Sequence, residues 1–169
     1  MEISEEFRTI IVLAREEAMR TGCYSITPDH IVLGILRHAD NRACRILSEL
    51  GINPEELRRH IEMFFFHPRS IPYQEEEKVL LTSESESLLK RAYVETTDNN
   101  DGSVRAVHLL LAVSHCPGSV SRDFLMHRGI TADKLRSLAG GSGTERTVRT
   151  PAERRIIGTI SIKAPEYYS

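Results

Sequence analysis

The fold is decided by the stretch TPDHIVLGIL at residues 27–36, because it recurs in altered form as RAVHLLLAVS at residues 105–114. The two stretches are 78 residues apart, and residues 4–60 align with residues 82–138 at this same offset without a gap. Identical residues occupy 11 of the 57 aligned positions, and apolar positions agree far more often. Self-similarity at a fixed period is typical of proteins built from repeated supersecondary units. The sequence therefore predicts two copies of one unit.

Capping residues and apolar spacing predict four helices in each unit. In the second predicted helix, Thr27 is a typical N-cap, and Pro28 takes the first helical position, where its missing N–H costs nothing. Its buried face is formed by Ile31, Val32, Ile35 and Leu36, which follow at helical spacing. Gly51 suits the left-handed position that ends the third helix. We therefore expect an all-α fold of eight helices, with two halves related by an approximate twofold.

The same pattern sets the domain boundaries. We expect one domain at residues 1–139, with repeat one at 4–60, a linker at 61–81 and repeat two at 82–138. The chain then continues with GGSG, a composition typical of flexible linkers. Residues 140–169 are accordingly predicted to be a flexible linker and tail.

Composition restricts the compartment and the partners. The 169 residues are 40% hydrophobic with a net charge of −2, and no apolar run is long enough to cross a membrane. The N-terminus is acidic, whereas a signal peptide begins with basic residues. The three cysteines are few and odd in number, which does not suit a disulfide framework. A mildly acidic chain also lacks the basic face that nucleic acid requires. We expect a cytoplasmic protein, monomeric in isolation, with neither a nucleic-acid nor a membrane partner.

The TPDHIVLGIL stretch and the later helix end Leu50-Gly51-Ile52 resemble the Clp N-terminal repeat, and the tandem arrangement covers residues 4–138. This resemblance implies a non-catalytic domain that docks adaptors and clients ahead of a Clp-type AAA+ unfoldase. The sequence itself contains no G-x-x-x-x-G-K-[ST] phosphate loop. The chain is therefore either a free-standing docking domain or a piece of a longer unfoldase, and its length favours the first.

The resemblance also implies candidate binding residues, because some members of the family hold phosphorylated arginine in each repeat. In those members an acidic residue and a histidine open the second helix of each repeat, as Asp29-His30 does here. The acid binds the guanidinium, and the N-caps of the helices that open each repeat assist. In this chain the acid position of repeat one is Asp29, near the caps Thr27 and Ser4, whereas repeat two has Val107 at the acid position and keeps the cap Thr82. We expect any such binding at repeat one alone. Asp29 can equally be a purely structural first-turn acid.

A second candidate surface is aromatic. Phe64, Phe65 and Phe66 cannot all face one core, because neighbouring helical residues diverge by about 100°. Together with Tyr73 they form either the seam between the repeats or a hydrophobic docking surface.

Other chemistry is less well supported by the sequence. His30 and His108 occupy matching places and are expected to be buried markers of the fold rather than ligands. The three cysteines and seven histidines show no metal-ligand spacing, so we expect neither a metal nor another cofactor. An enzyme of unrecognised type with a Cys/His pair on a helical scaffold stays open as the alternative function.

Overall fold

The offset of 78 residues recurs in the boundaries of the secondary-structure elements. Both repeats extend a few residues beyond the predicted bounds of 4–60 and 82–138. Repeat one contains β1 (Glu2–Ile3), α1 (Glu5–Arg20), β2 (Ser25–Ile26), α2 (Pro28–His38), α3 (Arg42–Glu49) and α4 (Pro54–Phe65). Repeat two contains β3 (Leu80–Leu81), α5 (Ser83–Asp98), β4 (Ser103–Val104), α6 (Ala106–Val113), α7 (Val120–His127) and α8 (Ala132–Ala139). The prediction of an all-α domain made of two four-helix repeats is confirmed.

The structure is a computed structural model that describes residues 2–65, 67–98 and 102–139. The predicted flexible tail at 140–169 lies outside the described residues. Between the repeats, a 3₁₀ helix at Tyr73–Lys78 occupies part of the predicted linker.

Each of the four short strands pairs with a strand of the other repeat. β1 pairs in parallel with β4, and β2 pairs in parallel with β3. Each repeat therefore supplies one strand to each of two small ladders. This pairing was not predicted, because a two-residue strand is too short to show an alternating pattern. Its consequence is that the N-terminus of each repeat's first helix lies beside the second helix of the other repeat.

The core of repeat one depends on a close approach between α1 and α2. A Cβ atom on Gly34 of α2 would lie 2.7 Å from the Ile10 carbonyl oxygen and 2.9 Å from the Ala14 backbone nitrogen of α1. The helices touch at this point because glycine has no side chain there. Fully buried side chains of repeat one include Ile10, Ile11, Ile31, Leu33, Ile35 and Leu47.

Each repeat also buries one glutamate at matching positions. Glu17 of α1 is paired with Arg20 at 3.0 Å and Arg37 at 3.7 Å. Glu95 of α5 is paired with Arg91 at 3.3 Å and Arg136 at 2.6 Å. A buried carboxylate requires such partners, since an isolated charge in the interior is costly.

Candidate functional site

His30 is buried and organises the start of α2. Its Nδ1 accepts a hydrogen bond from the Thr27 backbone N–H at 3.1 Å, and its Nε2 lies 3.1 Å from Thr21 Oγ1. With Nδ1 an acceptor, the neutral ring donates from Nε2 to the threonine hydroxyl. Burial lowers the pKa of His30 to about 4. His108 receives the matching bond from the Arg105 backbone N–H at 2.9 Å, so both histidines are structural, as expected from the sequence.

Asp29 is buried against the other repeat. Its Oδ1 accepts hydrogen bonds from Ser119 Oγ at 2.8 Å, Ser121 N at 2.9 Å and Ser121 Oγ at 2.7 Å. Its Oδ2 accepts one from Val120 N at 3.0 Å. The carboxylate therefore caps the N-terminus of α7, where backbone N–H groups lack partners within the helix, and only 3% of the residue is exposed.

Thr82 lies next to Thr27 and Asp29 although it belongs to repeat two. The Thr82 backbone N–H donates to the Ile26 carbonyl at 3.2 Å, continuing the β2–β3 pairing. Its hydroxyl oxygen accepts from Ser85 N at 3.1 Å and so caps α5. An open pocket of about 190 Å³ lies between the starts of α2 and α5. We call it the Thr27–Thr82 cleft; its lining includes Thr27, Asp29, Phe65, Thr82, Glu84 and Ser119.

Ser4 is not part of this cleft. It caps α1, accepting from Phe7 N at 3.0 Å, and its hydroxyl donates to the Val104 carbonyl of repeat two. The cleft lies beyond the opposite end of α1, a 16-residue helix with a length of about 24 Å. The sequence-based grouping of Ser4 with Thr27 and Asp29 is thus replaced by a grouping across the repeats, because the strands exchange partners.

Glu84 is a cleft residue that the sequence analysis missed. Its counterpart in repeat one, Glu6, accepts a hydrogen bond from the Ala106 backbone N–H at 2.7 Å. The residue of repeat one that corresponds to Ala106 is Pro28, which has no N–H to donate. The exposed Glu84 carboxylate lines the cleft beside Pro28. The offset of 78 together with the proline could have revealed this difference.

The aromatic candidates separate into different environments. The Phe65 ring packs against His30 with ring centroids 4.8 Å apart, and the residue is partly buried at the cleft. Phe64 is 62% exposed and contacts His60, whereas Tyr73 is 73% exposed and lines a different pocket with Met19. Phe66 lies outside the described residues. Phe65 therefore belongs to the packed side of the helix, and Phe64 and Tyr73 to the surface.

The cysteines show no sign of activation as nucleophiles. Burial raises the pKa of Cys44 and of Cys116, which favours the unreactive thiol. Cys44 Sγ donates to the Ile35 carbonyl at 3.4 Å, and Cys23 Sγ lies 3.9 Å from the Thr21 carbonyl oxygen. These contacts are those of packed thiols, and they give no support to the alternative Cys/His enzyme.

Metal-binding clusters and membrane-spanning helices are absent from residues 2–65, 67–98 and 102–139. No group of three or more His, Cys, Asp or Glu side chains is arranged to hold a metal ion there. Within the same residues, no helix has both the length and the apolar character needed to cross a membrane.

Comparisons with known proteins agree with this architecture. The family model of the Clp repeat N-terminal domain matches residues 2–128. The negative regulator of genetic competence ClpC/MecB of Bacillus subtilis is 23% identical over 133 residues, covering 79% of this chain and 16% of its own length. A ClpA homolog of Cyanidium caldarium, described as the ATP-binding subunit of an ATP-dependent Clp protease, is 29% identical over 139 residues, covering 79% and 15%. The chain thus spans about a sixth of the length of these curated relatives.

A solved structure shows the same fold. The Hsp104 N-terminal domain from Candida albicans superposes with a TM-score of 0.67 at 15% identity, covering 87% of this chain and 97% of that one.

Proposed function

Because the chain belongs to the Clp repeat N-terminal domain family, we propose that it is a non-catalytic docking module for an adaptor or a client protein of a Clp-type unfoldase. We expect a complex of three members: this chain, the adaptor or client that it binds, and the Clp-type unfoldase. We place the protein in the cytoplasm as a monomer without a membrane partner. We propose no nucleic-acid partner either, because its net charge of −2 does not favour binding to a polyanion.

The observation that carries this proposal is the Thr27–Thr82 cleft. The N-terminus of α5 meets the cleft at Thr82, and a helix N-terminus favours an anion. The exposed Glu84 carboxylate stands in the same cleft and favours a cation. A client segment that carries both charges finds a partner for each.

Asp29 has a limited part in this recognition. A bidentate guanidinium contact needs a free lone pair on each carboxylate oxygen, yet Asp29 Oδ1 already accepts three hydrogen bonds. Oδ2 accepts one and can accept one more. Asp29 therefore contributes one hydrogen bond and its charge, and Glu84 supplies the accessible carboxylate.

The matching position in the other half of the domain is poorly suited to a cation. Val107 takes the place of Asp29 there and is buried. Glu6 takes the place of Glu84, and its carboxylate is bound to the Ala106 N–H. We therefore propose that phosphoarginine binds at the Thr27–Thr82 cleft, which retains Thr27 and Asp29 of the expected site, and not beside Ser4. The exposed Phe64 and Tyr73 are proposed as additional apolar contacts for a larger partner.

The proposal is tested by fluorescence anisotropy with labelled β-casein, an unfolded protein, as the client probe. We expect saturable binding to the full chain and competition by free phosphoarginine. Glu84→Gln should weaken binding, while the matched control Glu77→Gln, also exposed but outside the cleft, should not. An absence of saturable binding, or binding that Glu84→Gln leaves unchanged, would contradict the proposal.

A further inference from the structure

A second depression continues from the Thr27–Thr82 cleft along α5. It has a volume of about 480 Å³, and we call it the α5 groove. Its lining includes Glu84, Leu88, Arg91, Ala112, His115 and Pro117. Glu84 and Pro117 line both depressions, so the two are continuous.

The wall and floor of the groove are apolar. Leu88 of α5 and Ala112 of α6 are buried side by side, and Pro117 lies in the connection to α7. These residues can hold apolar side chains of a ligand but provide little polar recognition.

The two ends of the groove carry opposite charges. Glu84 stands at one end, with an exposed carboxylate. At the other end, among the residues that the structure describes, Arg91 and Arg136 both pair with the buried carboxylate of Glu95, at 3.3 and 2.6 Å. The exposed Asp133 of α8 is a further acid near this end, and its charge acts on His115.

His115 lies at the Arg91 end of the groove, and its pKa reflects both burial and the positive potential there. Its Nε2 lies 3.3 Å from Arg136 Nη2, and its pKa is lowered by burial and then by the charges of Arg91 and Arg136. The ring is neutral there, with Nε2 accepting from the guanidinium. Arg91 lines the groove and its side chain is 42% exposed, so an anion in the groove can reach it. Arg136 adds its charge to the same end through its contacts with His115 and Glu95.

The spacing of the charges fits a short extended peptide. Glu84 and Arg91 are seven residues apart on one helix, which corresponds to a rise of about 10 Å. An extended chain in the polyproline II conformation rises about 3.1 Å per residue with three residues per turn, so it covers that distance in about three residues and brings side chains i and i+3 to the same side. Two charged residues three positions apart therefore reach the two ends together, and the two residues between them project to either side, against the apolar lining of the groove that includes Leu88 and Ala112.

We propose that the α5 groove binds an extended client segment with a basic residue at the Glu84 end, two apolar residues, and an acidic residue at the Arg91 end. This inference rests on the proposed docking function and adds the charge order of the client. The occupant is an extended peptide because the complementary charges lie along one line over an apolar floor.

Two labelled peptides of equal composition test the charge order. One carries Lys-Leu-Leu-Glu between glycines and the other carries Leu-Lys-Glu-Leu, both acetylated and amidated so that they have no terminal charges. We expect the first to bind the full chain about fivefold more tightly, the range of one solvent-exposed charge pair. Equal affinity for the two peptides would overturn the inference.

Matched variants assign the two ends. Glu84→Gln and Arg91→Gln should each weaken the Lys-Leu-Leu-Glu peptide about fivefold, and Arg91→Lys should recover part of the loss. The controls Glu77→Gln and Lys90→Gln remove exposed charges outside the groove and should have no effect. Glu84→Arg should reverse the preference at its end, so that a Glu-Leu-Leu-Glu peptide binds better than Lys-Leu-Leu-Glu. Thermal melting of each variant shows whether it is folded.

The outcomes separate this inference from the proposed function. If Glu84→Gln weakens the binding of β-casein but the two peptides bind equally well, the charge order is wrong while the docking function stands. If neither β-casein nor a peptide binds, both are wrong. Self-association of the full chain that Arg91→Gln abolishes in light scattering would assign the groove to a second copy and overturn the peptide assignment.

Discussion

Asp29 and Ser121 join the two repeats through two hydrogen bonds to a single oxygen. Ser121 donates from its backbone N–H and from its hydroxyl to Asp29 Oδ1, at 2.9 and 2.7 Å. The residues are 92 positions apart in the chain and both are buried. The carboxylate of α2 thereby serves as a cap for α7, and the packing of the repeats depends on it.

Replacing Asp29 with alanine should destabilise the whole domain. The change leaves two hydroxyls and two backbone N–H groups at the start of α7 without their acceptor, and buried donors without partners are costly. We expect the free energy of unfolding to fall by about 3 kcal/mol, measured by urea denaturation. Asp40→Ala is the control because its side chain is 99% exposed. A loss no greater than that of the control would refute the capping role.

Gly34→Ala should destabilise α1 against α2. The added methyl group meets backbone atoms of Ile10 and Ala14, which cannot turn aside as a side chain could, so the helices must separate. The expected loss is about 2 kcal/mol. Gly102→Ala is the control, since a Cβ at Gly102 meets nothing within 4 Å. Equal stability of the two variants in the same denaturation assay would show that the α1–α2 interface accommodates a methyl group at Gly34.

The stability of the protein should fall in mild acid because of His30. Its pKa is about 4 in the folded protein and about 6.5 when unfolded, so the unfolded chain binds the proton more readily between these values. Its contribution is therefore fully present above pH 6.5, is lost as the pH falls toward 4, and totals about 3 kcal/mol.

The measurement is the unfolding free energy at pH 7 and pH 4.5 for the wild type and His30→Gln. The variant should show a smaller difference between the two pH values. His127→Gln, which replaces an exposed histidine, should behave like the wild type. A pH dependence unchanged in His30→Gln would assign the acid sensitivity elsewhere.

Neighbouring phenylalanines should respond differently to truncation. Phe65→Ala removes a ring that packs on His30 at the cleft and should cost about 2 kcal/mol of unfolding free energy. Phe64→Ala removes a largely exposed ring and should change stability by less than about 0.5 kcal/mol. Thermal denaturation of the two variants compares them, and similar losses would mean that both rings belong to the core.

Much of the fold could be predicted from local signals. Caps such as Thr27 and helix ends such as Gly51 are properties of a few neighbouring residues, so they gave the eight helices. The repeat offset then supplied the relation between the halves. The two-residue strands gave no periodic signal, and the exchange of strand partners was therefore not predicted.

The candidate site was predicted less completely for the same reason. Asp29 was expected at the N-terminus of its own helix, but its carboxylate binds a helix N-terminus about 90 residues away, which no local pattern reveals. Ser4 was grouped with the wrong helix because pairing within each repeat was assumed. Glu84 could have been found, since Pro28 removes the N–H that binds its counterpart Glu6.

The docking claim is tested most directly by mapping backbone amide chemical shifts during titration of the full chain with the Lys-Leu-Leu-Glu peptide. We expect saturable shifts concentrated at Thr27, Thr82, Glu84, Leu88 and Cys116, the last of which lines both depressions, with the amides of Ser4 and Val107 unchanged. Shifts of equal size around Ser4 and Val107, or no saturable shift at the cleft and the α5 groove, would contradict it.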